Sequence, residues 1–340
     1  MHLSERHNPY FEHARWKAWV AYRGRRPVGR ISAQIDDLDR SYHGPDRGHF
    51  GLLEAVDDPE VFSALFRAAE RWLGAEGARR VLGPFNLSIN QECGLLVEGF
   101  DHPPTVMMGH GTRYYPAQLE RLGYGPAKDL LAYWIEAGHP WPRAARVMLD
   151  RYARRVRTRR FDSTRMGEEL ELLRGLFNEA WAKNWGFVPF TEAEFTDLGK
   201  TLHLLVDDDL VQIVELDGEP AAFIVLLPNI NEAIRDLHGR LLPFGWAKLL
   251  WRLKRHRIRT GRITLMGVRS QYHNTRLGAA LALSAVDAVH PPGLARGMRA
   301  AELSWILEDN HGLLNILEAI GARLYKRYRI YEKLLAPGGS

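Results

Sequence analysis

The sequence contains a single cysteine, Cys93, in 340 residues, which excludes an internal disulfide and favours a reducing compartment. It has no run of about 18 apolar residues, the length that a membrane-spanning helix needs. Its first residues also lack the apolar core of a signal peptide. The fourteen histidines form neither an HExxH nor a Cys-x-x-Cys and His-x-x-x-His pattern. We therefore expect a cytoplasmic protein without a metal site.

The composition is that of an ordinary globular protein, with 46% hydrophobic and 26% charged residues. A formal net charge of +5 favours an acidic partner, which can be nucleic acid, an anionic lipid or a polyphosphate cofactor. The predicted elements include no helix-turn-helix or RNP motif, so we expect no nucleic-acid role. The sequence leaves the oligomeric state open.

Two parts of the chain repeat each other. Residues 119–135 align with residues 317–333 without a gap, at an offset of 198. The identical pairs are Leu119/Leu317, Glu120/Glu318, Gly123/Gly321, Lys128/Lys326 and Tyr133/Tyr331. Pro27 and Pro220 correspond at a similar offset of 193, and each follows a short polar turn between two apolar runs. Similar offsets at both ends of a segment predict one unit that is used twice.

Each copy predicts the same elements, beginning with a hairpin and continuing with alternating strands and helices. In the first copy, Asp58 and Pro59 predict a helix start. This order is typical of a mixed-sheet α/β fold. We expect two such domains in tandem, at residues 1–138 and 147–336, with a linker at 139–146 in the segment "EAGHPWPRAAR" (136–146), which contains proline and glycine.

A turn between an apolar strand and an alanine-rich helix resembles a known family. The strand ends at Val268 and the turn reads "HNTRLG", from His273 to Gly278. It is similar to the Q/R-x-x-G-x-G/A turn of the GNAT acyltransferases, which transfer acyl groups from acyl-CoA to an amine. Gly278 matches the second glycine, His273 stands in place of Gln or Arg, and Arg276 in place of the first glycine. The free N–H groups of a helix start suit a pyrophosphate.

A second segment resembles the pattern N-x-x-A-x-x-x-Y-x-x-x-G-F of the same family. Asn310 and Gly321 keep the spacing, but Leu317 replaces the tyrosine and Ala322 the phenylalanine. In the family that tyrosine commonly protonates the leaving thiolate, so the acid is open here: it is another tyrosine, or the thiolate leaves unprotonated. The alternatives are Tyr272, Tyr325 and Tyr328. The resemblance implies an acyl-CoA site formed by Met266, Gly267, Val268, Arg269, His273, Asn274, Arg276, Leu277, Gly278, Ala279 and Asn310.

Longer stretches resemble a bacterial family of double-GNAT proteins that includes acyl-CoA-dependent ceramide synthases, which N-acylate a sphingoid base. They are "GPFNLSINQECGLLVEGFDHPPTVMM", "NWGFVPFTEAEF" and "YRIYEKLL". Members usually carry further N-terminal residues, so we expect the first copy to be N-terminally shortened. The resemblance implies an N-acyltransferase acting on a lipid amine. Two alternatives stay open: an acyltransferase for a small amine or a protein, and a non-catalytic acyl-CoA or lipid-binding protein.

Only the second copy is expected to bind CoA, because the first has carboxylates where the turn should lie. These are Glu54, Asp57 and Asp58. Candidate general bases that take the amine proton are Glu302 and Glu194, with Glu192 beside the latter. We expect the acceptor amine to contact Trp185, Phe187, Asn86 and Asn90. Cys93 lacks a nearby histidine partner and is not favoured as a nucleophile.

An insertion at 237–260 holds seven Lys or Arg residues and no acid. Its apolar residues share one helical face: Trp246, Leu249, Leu250 and Leu253. Its cations lie along another: Lys248, Arg252, Arg255 and Arg259. The pattern predicts an interfacial helix on the inner face of the membrane, or a cover for an alkyl chain. The alternative is a helix packed on its own domain. A second basic run, at 151–165, is predicted to be a solvated face.

Overall fold

The structure is a computed structural model that describes residues 3–138, 140–203, 206–237, 239–240, 242–254 and 258–336. The strands are β1 (Ala14–Arg23), β2 (Arg26–Asp36), β3 (Arg47–Ala55), β4 (Arg80–Gly83), β5 (Phe85–Asn86), β6 (Glu92–Cys93), β7 (Leu95–Glu98), β8 (Gly125–Glu136), β9 (Val156–Arg160), β10 (Val211–Leu216), β11 (Glu219–Pro228), β12 (Thr260–Val268), β13 (Ala300–Leu307) and β14 (Arg323–Leu334). The helices are α1 (Asp37–His43), α2 (Pro59–Ala75), α3 (Tyr115–Arg121), α4 (Arg143–Tyr152), α5 (Met166–Trp181), α6 (Glu192–His203), α7 (Ile230–Ile234), α8 (Gly245–Lys254), α9 (Arg276–Ala295) and α10 (His311–Ala319).

One mixed sheet runs through the described chain. Its order is β1-β2-β3-β4-β14-β8-β13-β12-β11-β10-β9, and β7 pairs beside β14. The β3–β4 and β12–β13 pairs are parallel, while the other described pairs are antiparallel. The predicted mixed α/β fold is confirmed.

The last strand of each repeat is exchanged between the two halves. The first repeat ends in β8, which pairs with β13 of the second repeat. The second repeat ends in β14, which pairs with β4 of the first. The two exchanged strands pair with each other at the centre, where Asp129 faces Arg329. Neither half of the sequence therefore forms its sheet alone.

The residues that match between the repeats occupy equivalent places. Gly123 and Gly321 follow α3 and α10 with φ values of 84° and 87°, a left-handed conformation that favours glycine. Pro27 and Pro220 each lie just beyond a register shift in their hairpins. A helix, α4, begins inside the predicted linker, and residue 139 lies outside the described residues. The domain boundaries at 138 and 147 stay a prediction.

In both halves the two parallel strands diverge after a few residues. Strands β12 and β13 are paired only from Thr260 to Ile263 on β12, and β12 continues to Val268. A register shift against β11 falls at Thr264. In the first half, β3 and β4 are paired only over Arg47–His49 on β3. A gap therefore opens at the carboxyl end of each parallel pair.

The first half fills its gap with its own chain. The Gln34 side-chain amide donates hydrogen bonds to the carbonyl oxygens of Phe85, at 2.6 Å, and Leu87, at 3.1 Å. The Leu52 N–H donates to Asn86 Oδ1 at 2.8 Å. A Cβ on Gly51 would lie 1.8 Å from the Phe85 carbonyl oxygen, so this close packing requires glycine. The corresponding gap of the second half is open.

The predicted helix of the 237–260 insertion is present as α8. Four large apolar side chains of the insertion, two before α8 and two within it, are between 48% and 79% exposed: Leu242, Phe244, Trp246 and Leu250. Lys248 and Arg252 pair with Asp236, which lies just before the insertion. The Leu253 side chain and Arg255 lie outside the described residues. No helix in the described ranges is long and apolar enough to cross a membrane.

Candidate active site in the second half

A cleft of about 590 Å³ lies between the diverging ends of β12 and β13. Helices α9 and α10 border it on one side, and Trp181 and Trp185 border it at and just after the end of α5. Ile263, Ala282 and Leu313 are among the apolar side chains of its wall. The cleft therefore joins a helix start to an apolar interior.

The start of α9 faces this cleft without a carboxylate cap. The Thr275 hydroxyl accepts a hydrogen bond from the Gly278 N–H at 3.0 Å and donates one to the Tyr272 carbonyl at 2.7 Å. Asn274 adopts a positive φ of 57° in the turn before it. The N–H groups of a first helical turn lack acceptors within the helix, and the helix dipole adds positive potential. The arrangement suits an anionic ligand.

The turn before α9 requires glycine at Gly278 for its own geometry. A Cβ at this position would lie 2.1 Å from the Tyr272 carbonyl oxygen. The tight turn brings the helix start close to the end of β12.

The edge of β12 that faces the cleft presents backbone donors. The carbonyl of Met266 accepts from Trp181 Nε1 at 2.9 Å, and the carbonyl of Val268 contacts His273 Nε2 at 2.7 Å. The Arg269 N–H instead donates to Ala221 on the other side. Because the N–H and C=O of one strand residue point the same way, the N–H groups of Met266 and Val268 face the cleft side. Their carbonyls are already occupied, so the free groups are donors.

A buried polar cluster lies where β12 and β13 separate. Glu302 is fully buried and accepts hydrogen bonds from the Ser304 hydroxyl, at 2.5 Å, and from the Tyr325 hydroxyl. Arg262 Nε donates to Ser304 Oγ at 2.9 Å and lies 3.6 Å from Glu302 Oε1. Ser304 lines the cleft, so it connects the buried carboxylate with the cleft.

Burial and charge set the protonation of this cluster. Burial raises the pKa of Tyr325, and the neighbouring Glu302 carboxylate raises it further. Burial lowers the pKa of Lys326, against the opposing effect of Glu302. Tyr325 therefore keeps its proton at neutral pH and donates a hydrogen bond to Glu302. The Lys326 ammonium donates to the Pro103 carbonyl at 2.8 Å, which ties a first-half segment to the cluster.

Most of the predicted acyl-CoA residues line the cleft. They are Met266, Gly267, Val268, His273, Asn274, Gly278, Ala279 and Asn310, and Tyr272 and Trp185 lie with them. Three predicted residues do not line it. Arg269 pairs with Glu179 at 2.7 Å, Arg276 is exposed, and Leu277 packs against the core.

The other predicted site residues make contacts elsewhere. Glu194 accepts from the Thr191 N–H and hydroxyl at the start of α6, a capping box in which Glu192 occupies the first turn. The Asn86 side-chain oxygen accepts a hydrogen bond from the Leu52 N–H, and the Asn90 side chain donates to the Val188 carbonyl at 2.9 Å. Phe187 is buried against Tyr42. The structure thus gives these residues packing and capping contacts outside the cleft lining.

The three tyrosines that could replace the family acid have different surroundings. Leu317, in the position of the family acid, lines the cleft with Tyr272. Tyr325 is bonded to Glu302, and the buried Tyr328 hydroxyl has no partner among the described residues. Burial raises the pKa of Cys93 to about 12, so the thiol is not a nucleophile at neutral pH.

Sequence reasoning missed four polar residues near the cleft. Ser304 and Arg262 complete the Glu302 cluster. Thr264 and Trp305 belong to the cleft wall, and their buried Oγ1 and Nε1 atoms lack partners among the described residues. The motif "ELS" carried a signal for Ser304, because residues two apart on a strand share a face. The described residues include no group of three or more His, Cys, Asp or Glu side chains placed to hold a metal.

Solved structures show the class of fold. A tandem GNAT protein from the clavulanic acid biosynthesis pathway superposes with a TM-score of 0.55 and 13% identity, covering 98% of this chain and 85% of that one. A GCN5-related N-acetyltransferase from Sphaerobacter thermophilus superposes with a TM-score of 0.50 and 15% identity, covering 92% and 82%. The predicted tandem GNAT fold is confirmed.

Two related sequences show the family. Protein YghO of Escherichia coli (strain K12) is 53% identical over 98% of this chain and 85% of its own length. The bacterial ceramide synthase of Caulobacter vibrioides is 47% identical over 98% of this chain and 87% of its own. No protein-family model matches the chain. The chain therefore belongs to the family that contains these two proteins, a family of tandem GNAT acyltransferases, as the sequence predicted.

Proposed function

We propose that this protein transfers a long acyl chain from acyl-CoA to the amine of a lipid such as a sphingoid base. The observation that carries the proposal is the cleft. In it, the start of α9, which is capped by a hydroxyl and not by a carboxylate, adjoins a largely apolar interior. The ceramide synthase of Caulobacter vibrioides, at 47% identity, supports the choice of acceptor.

The pyrophosphate of CoA binds at the start of α9 in this proposal. The first-turn N–H groups supply hydrogen bonds, and Thr275 adds no negative charge. The N–H groups of Met266 and Val268 receive the thioester oxygen and stabilise the negative charge that develops there.

Glu302 takes the amine proton through Ser304. The amine nitrogen forms a bond to the thioester carbon while its proton passes to Ser304 Oγ, and the proton of Ser304 passes to Glu302. Arg262 already donates to Ser304 Oγ, which leaves the serine proton directed at the carboxylate. The C–S bond then breaks, and the CoA thiolate takes a proton from Tyr272 or from water. Serine relays and carboxylate bases of this kind act by ordinary general base catalysis.

The lipid amine reaches the cluster from the side of α8. Asn231 of α7 donates to the carbonyls of Pro104 and Thr105 at 3.1 and 3.0 Å, and Arg262 donates to the carbonyl of Val106 at 3.1 Å. Segment 103–107 thus links α7, which packs against α8 of the insertion, to the buried cluster. The exposed apolar residues of the insertion supply a surface that suits the headgroup region of a bilayer.

The first test is thiol release by the purified protein with palmitoyl-CoA or acetyl-CoA, each with and without sphinganine, and with products identified by mass. We expect release from palmitoyl-CoA that depends on sphinganine, with a ceramide product. Release with acetyl-CoA alone, independent of sphinganine, would favour a small amine or a protein as acceptor. No release under any condition would favour a binding protein.

Membrane contact has a separate test, which is sedimentation with anionic phospholipid vesicles. Phe244→Glu is expected to reduce the bound fraction severalfold, because it places a charge on the exposed apolar surface. Tyr42→Glu, at an exposed aromatic residue of the first half, is the matched control and should bind like the unchanged protein. Equal loss in both variants, or no vesicle binding by the unchanged protein, would contradict the membrane role.

A further inference from the structure

A second cavity lies beyond the cleft, beneath the carboxyl-terminal half of α9. Its volume is about 70 Å³, and its wall includes Val289 and Leu294 of α9, Met298, and Trp141. It lies on the side of the cleft away from the start of α9, where the pyrophosphate is placed. Nothing in the proposed chemistry requires a cavity in this position.

The cleft and the second cavity share part of their walls. Ile263 of β12, Val286 of α9 and Ile320 after α10 line both. Only apolar side chains therefore stand at the junction. Val286 is half-buried, so its side chain is not locked on all sides by the core. Because side chains change rotamer readily where packing is incomplete, the junction can admit a slender ligand.

The second cavity offers almost no unpaired polar group to a ligand. His290 Nε2 contacts the Ala137 carbonyl at 2.8 Å, and the Glu136 carboxylate accepts from Trp134 Nε1 at 2.8 Å. With these partners in place, the remaining wall is apolar. A ligand headgroup would lose its hydrogen bonds there, whereas an alkyl chain loses none. The chemistry selects an unsubstituted hydrocarbon chain.

We propose that the acyl chain of the donor passes between Ile263, Val286 and Ile320 and ends in the second cavity. The inference rests on the proposed function, since it identifies the donor as a long-chain acyl-CoA. It makes Val286 the residue that limits chain length. Each methylene that the cavity removes from water strengthens binding about fourfold, which corresponds to ~0.8 kcal/mol.

Val286→Phe and Val286→Ala test the proposal in opposite directions. The phenyl ring blocks the junction, so we expect palmitoyl-CoA turnover, relative to octanoyl-CoA turnover, to fall about tenfold or more, the equivalent of two or more methylenes. Val286→Ala widens the junction and should shift the preference toward longer chains. Val147→Phe makes the same substitution at an exposed position of α4 and should leave the preference unchanged.

Donor binding is measured separately from turnover, by the rise in melting temperature with CoA, octanoyl-CoA and palmitoyl-CoA. Val286→Phe should keep the stabilisation by CoA and lose the extra stabilisation by palmitoyl-CoA. An unchanged chain-length preference in both Val286 variants would overturn the inference while leaving the proposed function intact. If no acyl-CoA stabilised or reacted with the unchanged protein, the proposed function itself would fail.

Discussion

The two helices that follow the parallel strands have the same place in their repeats and opposite starts. Helix α2 is capped by the Asp58 carboxylate, which also pairs with Arg23. Helix α9 is capped by the Thr275 hydroxyl, and its third residue is Gly278 where α2 has Val61. A carboxylate therefore lies at the start of α2, where an anion would otherwise bind, whereas a neutral hydroxyl caps the start of α9. This difference agrees with our proposal that the start of α9, and not that of α2, binds the ligand.

The strand pairs differ in the same sense. By parallel register, Arg262 and Glu302 of the second half correspond to His49 and Leu82 of the first. The first half therefore keeps a buried basic residue and lacks the acid. Burial lowers the pKa of His49, which favours its neutral form. Residues 85–87 fill the gap of the first half. This half instead contributes β8, which pairs with β13, and segment 103–107, which contacts Arg262 and Lys326.

The largest expected effect separates the two buried carboxylates that the sequence put forward. Glu302→Gln removes the proposed base and should lower kcat by about 10²–10⁴-fold, the usual contribution of a general base. Palmitoyl-CoA binding, measured by thermal shift, should persist. Glu194→Gln alters a capping box outside the cleft lining and should retain kcat. Equal kcat in the two variants would remove Glu302 from the mechanism.

The next largest effect is expected when α9 receives a carboxylate cap like that of α2. Thr275→Asp still caps α9, so the protein should stay folded. Like charges about 4 Å apart repel by ~4 kcal/mol near a protein surface, and salt screens part of this repulsion, so we expect CoA to bind at least about a hundredfold more weakly. Isothermal titration with CoA checks this, with Thr275→Ser as the neutral control. Asp58→Thr in the first half should leave CoA affinity unchanged; a gain of a second CoA site would contradict the division of roles.

A smaller effect concerns the glycine of the turn. Gly278→Ala places a methyl group against the Tyr272 carbonyl and should weaken CoA binding about tenfold, because the turn must shift. Gly175→Ala in α5, where a Cβ meets no atom within 4 Å, is the matched control. It should keep CoA affinity and gain up to about 1 kcal/mol of helix stability. Unimpaired binding by Gly278→Ala would show that the turn tolerates the shift.

The smallest effect probes a contact between the halves. Burial lowers the pKa of His13, but the carboxylates of Asp36 and Glu194, 2.9 and 3.5 Å from its ring nitrogens, outweigh burial and raise the pKa to about 10. The folded-state pKa lies above the ordinary value of 6.5, so the stabilisation is full below pH 6.5 and is lost as pH rises through about 10. His13→Gln should melt a few degrees lower at pH 6, with the difference vanishing near pH 10.

The sequence was sufficient to predict the repeated elements and to select most of the residues that prove to line the cleft. Short-range signals carried these predictions: Asp58 before Pro59 for a helix start, and the spacing from Asn310 to Gly321 for a helix length. The carboxylate at Glu302 was also among the candidates. Such signals lie within a few residues of the element that they specify.

Long-range contacts could not be predicted in this way. The exchange of β8 and β14, the filling of the first gap by residues 85–87, and the junction at Val286 each join segments far apart in sequence. Glu194 and Asn90 were plausible from their residue types, but their partners, Thr191 and Val188, give them capping and loop contacts. Residue type alone does not distinguish a carboxylate that caps a helix from one that accepts a proton.

The exchanged strands have a consequence for how the chain folds during synthesis. Strand β4 already pairs with β3 but acquires its second neighbour only when Arg323–Leu334 has been made, because β14 is the last strand among the described residues. Until then the growing polypeptide carries an unpaired strand edge, which is a template for association with other chains. Truncations that remove β14 should aggregate even though they keep the described strands of the first repeat. Completion of the sheet is therefore delayed until β14 emerges, and this delay makes chaperone protection most valuable after the first repeat has been synthesised.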